Sequence, residues 1–564
     1  MPEQPVPVSR SPHPRARSRS RVEFGAVAVT GRQALATGGS GRGAAAAQGL
    51  PKTTFFRILA RMDAVDPDPT ARAFFDGLSG QRVLHRLVLV LLVVMVFRAG
   101  LGVGMVRLVL VMAGLSRRVA CSDSHLRGKV VAMRRMMLEF EQEETASLAP
   151  RMPHRSIVLC PDEMFRCGTM ILTALEPVSG MALVHRIATH RDALTWDEAI
   201  RHGTQGLRVT LVALCADSAG GIQSAATERL KVRFDPELFH ALKGLSDAFW
   251  RPLRSWLAAA HKARSKAALH ALRVQVQGAA SETADGAAPS PLQVEAAREL
   301  DAAQTAMRES QGAQETLHKV RQTLSLVLHP VDLLTGALRD PDEVALVVED
   351  QLHSLDPLAE RLGHKCRVAL ASAREKIPAW TAMVSQWGLR VRERVAQEVL
   401  SVELQTVMLT ALIPACYLAW VSTRNHLPTR VRAYLRTQSD GMFRQVAANP
   451  EWASLPHGLR VHLESVAQEC ARWFVRCSSG TEGHNQWTAR RLHRDHGVRG
   501  DWLAALKVVH NFMLVRADGT TAAQRFYGRA HGDLLEYLEA RMPLPAFPRT
   551  RKSRPRPDPL GLAP

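Results

Sequence analysis

The chain reads as an α/β core joined to a large all-helical block, an α/β plus α protein. Three observations lead there. Four short runs of β-branched and apolar residues, separated by turn residues, crowd into residues 155–215. No run from Phe239 to about Cys470 has strand character, and Leu292–Leu328 and Val391–Trp420 repeat apolar residues at helical spacing. Aromatics make up only 5% of the chain, and Ala, Leu, Arg and Val dominate, a composition that favours helices. With 564 residues, 46% of them hydrophobic, the chain is long enough for two to four domains.

Residues 1–48 are rich in Pro, Ser, Arg, Gly and Ala, a composition that builds no core and is expected to be disordered. The segment reads equally as a nonspecific DNA-binding arm or as sequence upstream of the true start. Residues 49–148 form a helical N-terminal domain. Within it, Gly49–Leu59 has the pattern of a helix-turn-helix second half, with Gly at the turn, a capping Thr and a basic outer face. An ordinary capped amphipathic helix fits the same residues. Leu87–Phe97 is apolar throughout but short of the roughly 20 residues a membrane span needs, so it reads as a core helix and no membrane is expected. The glycines at 100, 102 and 104 follow no strand and carry no nucleotide-loop signal.

Residues 149–240 hold the strands: Ser156–Cys160, Gly168–Leu175, Gly180–Ile187 and Leu207–Cys215, with a helix opening at Thr195 on a capping-box pattern. An Asp follows the first strand closely, at 162, and another follows the fourth, at 217. Residues 241–470 are the helical insertion, broken at the linker Glu282–Pro291 and most apolar at Ala411–Val421. Residues 471–545 return to the core with a helix over Trp502–Val515, and residues 546–564 form a basic, Pro-rich tail.

The formal net charge is +20 and the pI about 10.3, which points to a polyanionic partner, DNA foremost. A high-GC genome would enrich Arg and Ala without any such demand. The eight cysteines form no CxxC pair, so a zinc site is not expected and the thiols read as reduced in a cytoplasmic protein. Cleaving and joining phosphodiesters calls for an activated oxygen nucleophile and a stabilised leaving oxygen. Two Mg²⁺ or Mn²⁺ ions roughly 3.5–4 Å apart, held by Asp and Glu, supply both. Asp162 and Asp217 would sit side by side if their strands are neighbours, and a carboxylate from a later helix would complete the set.

The residues that follow resemble a known family. Asp162-Glu163-Met164-Phe165, Glu176-Pro177-Val178-Ser179, Arg191, Thr195-Trp196, Asp217-Ser218-Ala219-Gly220-Gly221 and Asp235-Pro236-Glu237-Leu238-Phe239-His240 look like the first half of bacterial insertion-sequence DDE transposases. Ser479-Gly480-Thr481-Glu482-Gly483-His484-Asn485, Val509-His510-Asn511-Phe512 and Asp518–Phe526 resemble the closing half, after a long helical insertion. The resemblance spans about residues 80–550. It implies an RNase H-like mixed sheet, metal-dependent DNA cleavage and strand transfer, and Asp162, Asp217 and Glu482 as the catalytic metal ligands. It further implies water attack at the element end, attack of the freed 3′-hydroxyl on target DNA, and a homo-oligomer on DNA in the bacterial nucleoid. His240 falls in an acidic-x-x-His string whose acidic member here is Glu237, and His484 stands where the family often has Arg. Glu163 should point away from the site, since neighbours on a strand face opposite ways.

For DNA contact the candidates are His240, Trp250 and the basic residues Arg490, Arg491, Arg494 and Arg499. Trp250 and Trp256 read either as stacking platforms for an unpaired base or as helix packing, and the arginines as phosphate contacts or a solvated cationic face. The alternative to an active enzyme is a decayed or domesticated transposase that only binds DNA.

Overall fold

The computed structural model describes residues 24–65, 68–217, 219–281, 289–424, 427–492 and 498–546. The tail from 547, the linker residues 282–288 and Arg494 lie outside them. Helices dominate, and the described strands form one five-stranded mixed sheet in the order β3-β2-β1-β4-β5. The strands are β1 (Arg155–Arg166), β2 (Thr169–Glu176), β3 (Met181–Ala188), β4 (Val209–Ala216) and β5 (Arg233–Pro236). β1 pairs antiparallel with β2 and parallel with β4; β2 pairs antiparallel with β3, and β4 parallel with β5. The α/β plus α class expected from the sequence therefore holds. β1 runs on past Pro161 to Arg166, and β5 is a strand that sequence patterning misses.

Local chemistry explains the joints. Gly168 and Gly180 take positive φ at the two hairpin turns, where side chains other than Gly are strained. The Glu176 carboxylate accepts from the Val178 and Ser179 amides, which fixes the second turn. Helix Ala193–Thr204 is capped by Asp192, which accepts from the Thr195 amide, and not by Thr195 as the capping-box pattern suggests. Asn511, on helix Gly500–Met513, donates to and accepts from the Ala182 backbone and so closes the free edge of β3.

Residues 24–48 depart from the expected disorder. Phe24–Ala36 and Gly41–Ala47 are helices, and with Lys52–Val65 they close a small core around Phe55, Ile58 and Leu59. Alanine, the best helix former, outweighs the glycines here. The helices 41–47 and 52–65 are joined by a turn with Gly49 at φ +62°. The second helix opens at Lys52, so Thr53 and Thr54 lie inside it rather than at its cap.

The helices from 78 to 148, expected as part of a separate N-terminal domain, share the core of the sheet. Val88, Leu92, Phe97, Met133 and Phe140 pack in one cluster with Ile157, Leu159, Trp196 and Leu506. Phe97 stacks on Trp502 with ring centres 5.0 Å apart. Leu78–Arg98 and Val402–Ser422 are each long and apolar enough to cross a membrane by length and composition, and about half of each is buried in this fold. The insertion has a core of its own, with Trp380, Trp387, Met408, Tyr417 and Phe474. Its first two helices, Leu238–Ser281 and Pro291–Val327, pack together as a long hairpin.

Because Phe97 is fully buried in a core shared with the sheet, Phe97→Ala is expected to cost about 3–5 kcal/mol. Hydrogen exchange of the β1 and β4 amides reads this. Unchanged protection there would show that the N-terminal helices fold apart from the sheet.

Candidate active site

Side-chain alternation along three parallel strands builds the site. In the β1–β4 register Val158 faces Ala213 and Leu159 faces Leu214. The same step brings Cys160 to Cys215; Asp162 lies two residues further along β1, and Asp217 follows the end of β4 within electrostatic reach of it. Cys215 faces Asp235 on β5, so Asp217 falls beside Glu237, whose amide donates to the Ala216 carbonyl at 2.8 Å. On the other side Asp162 faces Thr173, which faces His185. One polar row therefore crosses the sheet: His185, Thr173 and Asp162 on the strands, Asp217 and Glu237 just past the ends of theirs. Beneath it on the same face lie Val158, Cys160, Ala213, Cys215 and Val475, an apolar floor.

Helix Ser479–Leu492 covers this face. Thr481 Oγ1 donates to the Cys160 carbonyl at 2.8 Å and Asn485 Nδ2 to Asp162 Oδ2 at 2.7 Å. Glu482 lies between these anchors in the first helical turn. More than two hundred residues separate it from Asp217, yet the two ends of the insertion are stitched together at the site. The buried Glu237 carboxylate accepts from the Ser478 amide and from the Ser478 hydroxyl, both at 2.9 Å, at the start of the Glu482 helix. The Phe239 amide donates to the Arg476 carbonyl at 3.4 Å. His240 bridges the two ends, with Nδ1 2.6 Å from Glu237 and Nε2 2.9 Å from Glu482.

Among the described residues, Glu237, His240 and Glu482 are a set whose ligand atoms all lie within 4.8 Å of one another. Asp162 and Asp217 stand outside that set but within electrostatic reach. Burial, the largest cause, raises the Asp162 carboxyl to about 6, and the charges of Asp217 and Glu482 push the same way against hydrogen bonds from the Glu163 amide and Asn485. A divalent cation would relieve that burden, and the donor set is all oxygen apart from one imidazole, which suits Mg²⁺ or Mn²⁺. Asp217 is exposed and, with Glu237, His240, Lys376 and Trp380, lines a cavity of about 660 Å³ between β5 and the insertion.

Glu163 points to the opposite face, where it accepts from Trp196 Nε1 at 3.3 Å and pairs with Arg191 at 3.4 Å. His484 fills a closed pocket against His185, His510 and Trp487. Burial holds it neutral, with His185 depressed to about 3 and His510 to about 4. No cation stands where the family often has Arg.

The expected DNA-contact residues divide. Trp250 is exposed, whereas Trp256 is partly buried under the Arg361 guanidinium at 3.8 Å. Arg490 is exposed and Arg499 pairs with Asp501. Arg491, expected at phosphates, instead donates to the carbonyls of Phe97, Arg98 and Trp487 while stacking on the Trp487 ring. Its guanidinium caps the end of the helical stretch Leu92–Arg98, and Gly100 at φ +71° leaves room for it. Sequence reading also misses Asn485, Thr481 and Ser478. Their spacing of three and four residues, the signature of one helix face, was the available signal.

A family model described as a family of unknown function (DUF6399) matches residues 408–554. That segment includes Glu482 and its helix but neither Asp162 nor Asp217. No curated protein matches the chain.

Asp162 has a consequence for stability. Its carboxyl ionises near 3.8 in the unfolded chain and near 6 in the fold, so its charge costs nothing below the lower value. The cost grows between the two and is complete above the upper one, where it corresponds to roughly 3 kcal/mol. Asp162→Asn, measured by urea unfolding in EDTA, is therefore expected to be more stable than the parent at pH 8 and equal to it near pH 3. A variant no more stable at pH 8 would contradict the burial argument.

Proposed function

We propose that the chain is a DDE-type transposase, a metal-dependent enzyme that cleaves and joins DNA, built on an RNase H-like core. One observation supports this most: Asp162 lies on β1, Asp217 directly follows the adjacent parallel strand β4, and the helix packed on β1 carries Glu482. The resemblance in sequence selects these same three residues. The mixed sheet, the all-helical insertion between β5 and the Glu482 helix, and the +20 charge agree with it.

On this reading Asp162, Asp217 and Glu482 hold the divalent ions, which supply charge neutralisation at the phosphodiester and activation of the attacking hydroxyl. The chain's own groups do the positioning. Asn485 holds the Asp162 carboxylate, and Glu237 pins the start of the Glu482 helix through Ser478. His240, oriented by Glu237, holds Glu482. Arg490, exposed on the Glu482 helix, faces phosphates, and Lys52, Thr53 and Arg57, exposed on the 52–65 helix, serve recognition of element ends. The partners are DNA and further copies of this chain, in the bacterial cytoplasm.

In a nicking assay on supercoiled plasmid carrying the DNA that flanks the coding region, with Mg²⁺ or Mn²⁺, Asp162→Asn, Asp217→Asn and Glu482→Gln are each expected to lose activity. The loss should be on the order of a hundredfold or more, with DNA binding retained. Full nicking by any of the three overturns the assignment. DNA binding without nicking by the parent chain identifies a decayed element.

A further inference from the structure

The insertion hairpin begins at the candidate site. Its first helix, Leu238–Ser281, carries His240 in its first turn and would extend about 66 Å at 1.5 Å per residue. Its charge is lopsided: seven Lys and Arg against one Asp, whereas the second helix has four against five Asp and Glu. With 3.6 residues per turn, the buried Leu245, Phe249, Leu253, Ala260 and Ala267 form one stripe. Lys243, Arg251, Arg254 and Lys262 fall on the opposite side, and Lys266 and Arg273 continue them toward the tip. All six are exposed.

Three of the five acidic residues of the second helix pair with groups other than these cations: Glu299 with His270 of the first helix, Asp301 with Arg308 and Glu309 with Arg361. Among the described residues none of the six cations forms an ion pair. The arc also carries the exposed Trp250. Near its start, a second cavity of about 460 Å³ shares His240, Ala241, Lys376 and Trp380 with the cavity beside Asp217 and adds Lys365. Cationic groups thus line the way from the carboxylates to the hairpin.

The geometry points to the outer face of helix 238–281 as a rail for the phosphate backbone of double-stranded DNA. Lys243 to Arg273 covers about 45 Å of helix, more than one turn of a duplex at about 34 Å. A single strand threading the active site would need cations only in its first part. A long row of six exposed cations, interrupted on its face by Asp247 and divided by Pro252, fits the evenly spaced charge of a duplex. The rail rests on the reading of the site as one that acts on DNA, and it adds the surface on which the duplex lies.

The test is fluorescence anisotropy of the full chain with a duplex several turns long, in EDTA so that no cleavage intervenes, over roughly 50 to 200 mM salt. The variant R251Q/R254Q/K262Q is compared with R430Q/R436Q/R444Q, which removes the same charge from exposed positions on helix Thr429–Ala448. The rail variant is expected to bind about tenfold or more weakly, with a log–log salt slope shallower by about three, while the control matches the parent. Equal loss in both variants, no loss in the rail variant, or a larger loss on single-stranded DNA than on duplex each overturns the rail. Nicking separates the two readings. A rail variant that binds like a nicking parent removes the rail alone, and selective loss of binding beside a parent that never nicks removes the cleavage assignment alone.

Discussion

The parallel pairing of β1 with β4 is the constraint on which the site depends. Parallel strands in register present equivalent residues at the same height and on the same face. The pairs Val158 with Ala213 and Leu159 with Leu214 therefore bring the β1 segment that carries Asp162 next to the end of β4, which Asp217 follows. Glu237 follows β5 in the same way. A slip of one residue in either pairing would turn one carboxylate to the opposite face, where Glu163 already meets Trp196 and Arg191. The apolar floor beneath, with Cys160, Cys215 and Val475, holds that register by burial.

The second constraint is closure of a very long loop. The chain leaves the sheet at Glu237 and returns at Ser478, and the same two residues hydrogen-bond to each other. Glu237 thereby does three things: it ties the chain just past β5 to the Ala216 carbonyl, it satisfies amide and hydroxyl donors at the start of the Glu482 helix, and it orients His240. A buried carboxylate with those partners fixes the helix that Glu482 rides on, and the insertion grows outward from the joint with a separate core. The two cores meet next to the carboxylates, where a substrate held by the insertion would reach the site.

Much of this was legible in the sequence, for identifiable reasons. Asp162 and Asp217 could be found because β-branched runs announce strands and an Asp close behind a strand stands out. The helical insertion could be found because no strand pattern interrupts it. β5 could not, since Arg233–Pro236 is four residues long and ends in proline. The tie between Glu237 and Ser478 could not either, because no local rule links residues so far apart. Residues 24–48 failed for a different reason: their Gly and Ala content reads as low complexity, yet a few alanines suffice to pack against Phe55 and its neighbours. Arg491 was misassigned because a basic run looks solvated until the carbonyls of Phe97 and Arg98 are brought to it.

The central claim is that Asp162, Asp217 and Glu482 together hold divalent metal. Binding of Mn²⁺ to the full chain near pH 8, followed by electron paramagnetic resonance, tests it without any DNA substrate. The account expects Asp162→Asn, Asp217→Asn and Glu482→Gln each to weaken binding by about tenfold or more, and Glu163→Gln, on the opposite face, to leave it unchanged. Mn²⁺ binding that is indifferent to Asp162 and Asp217, or that falls as much with Glu163→Gln, would contradict it.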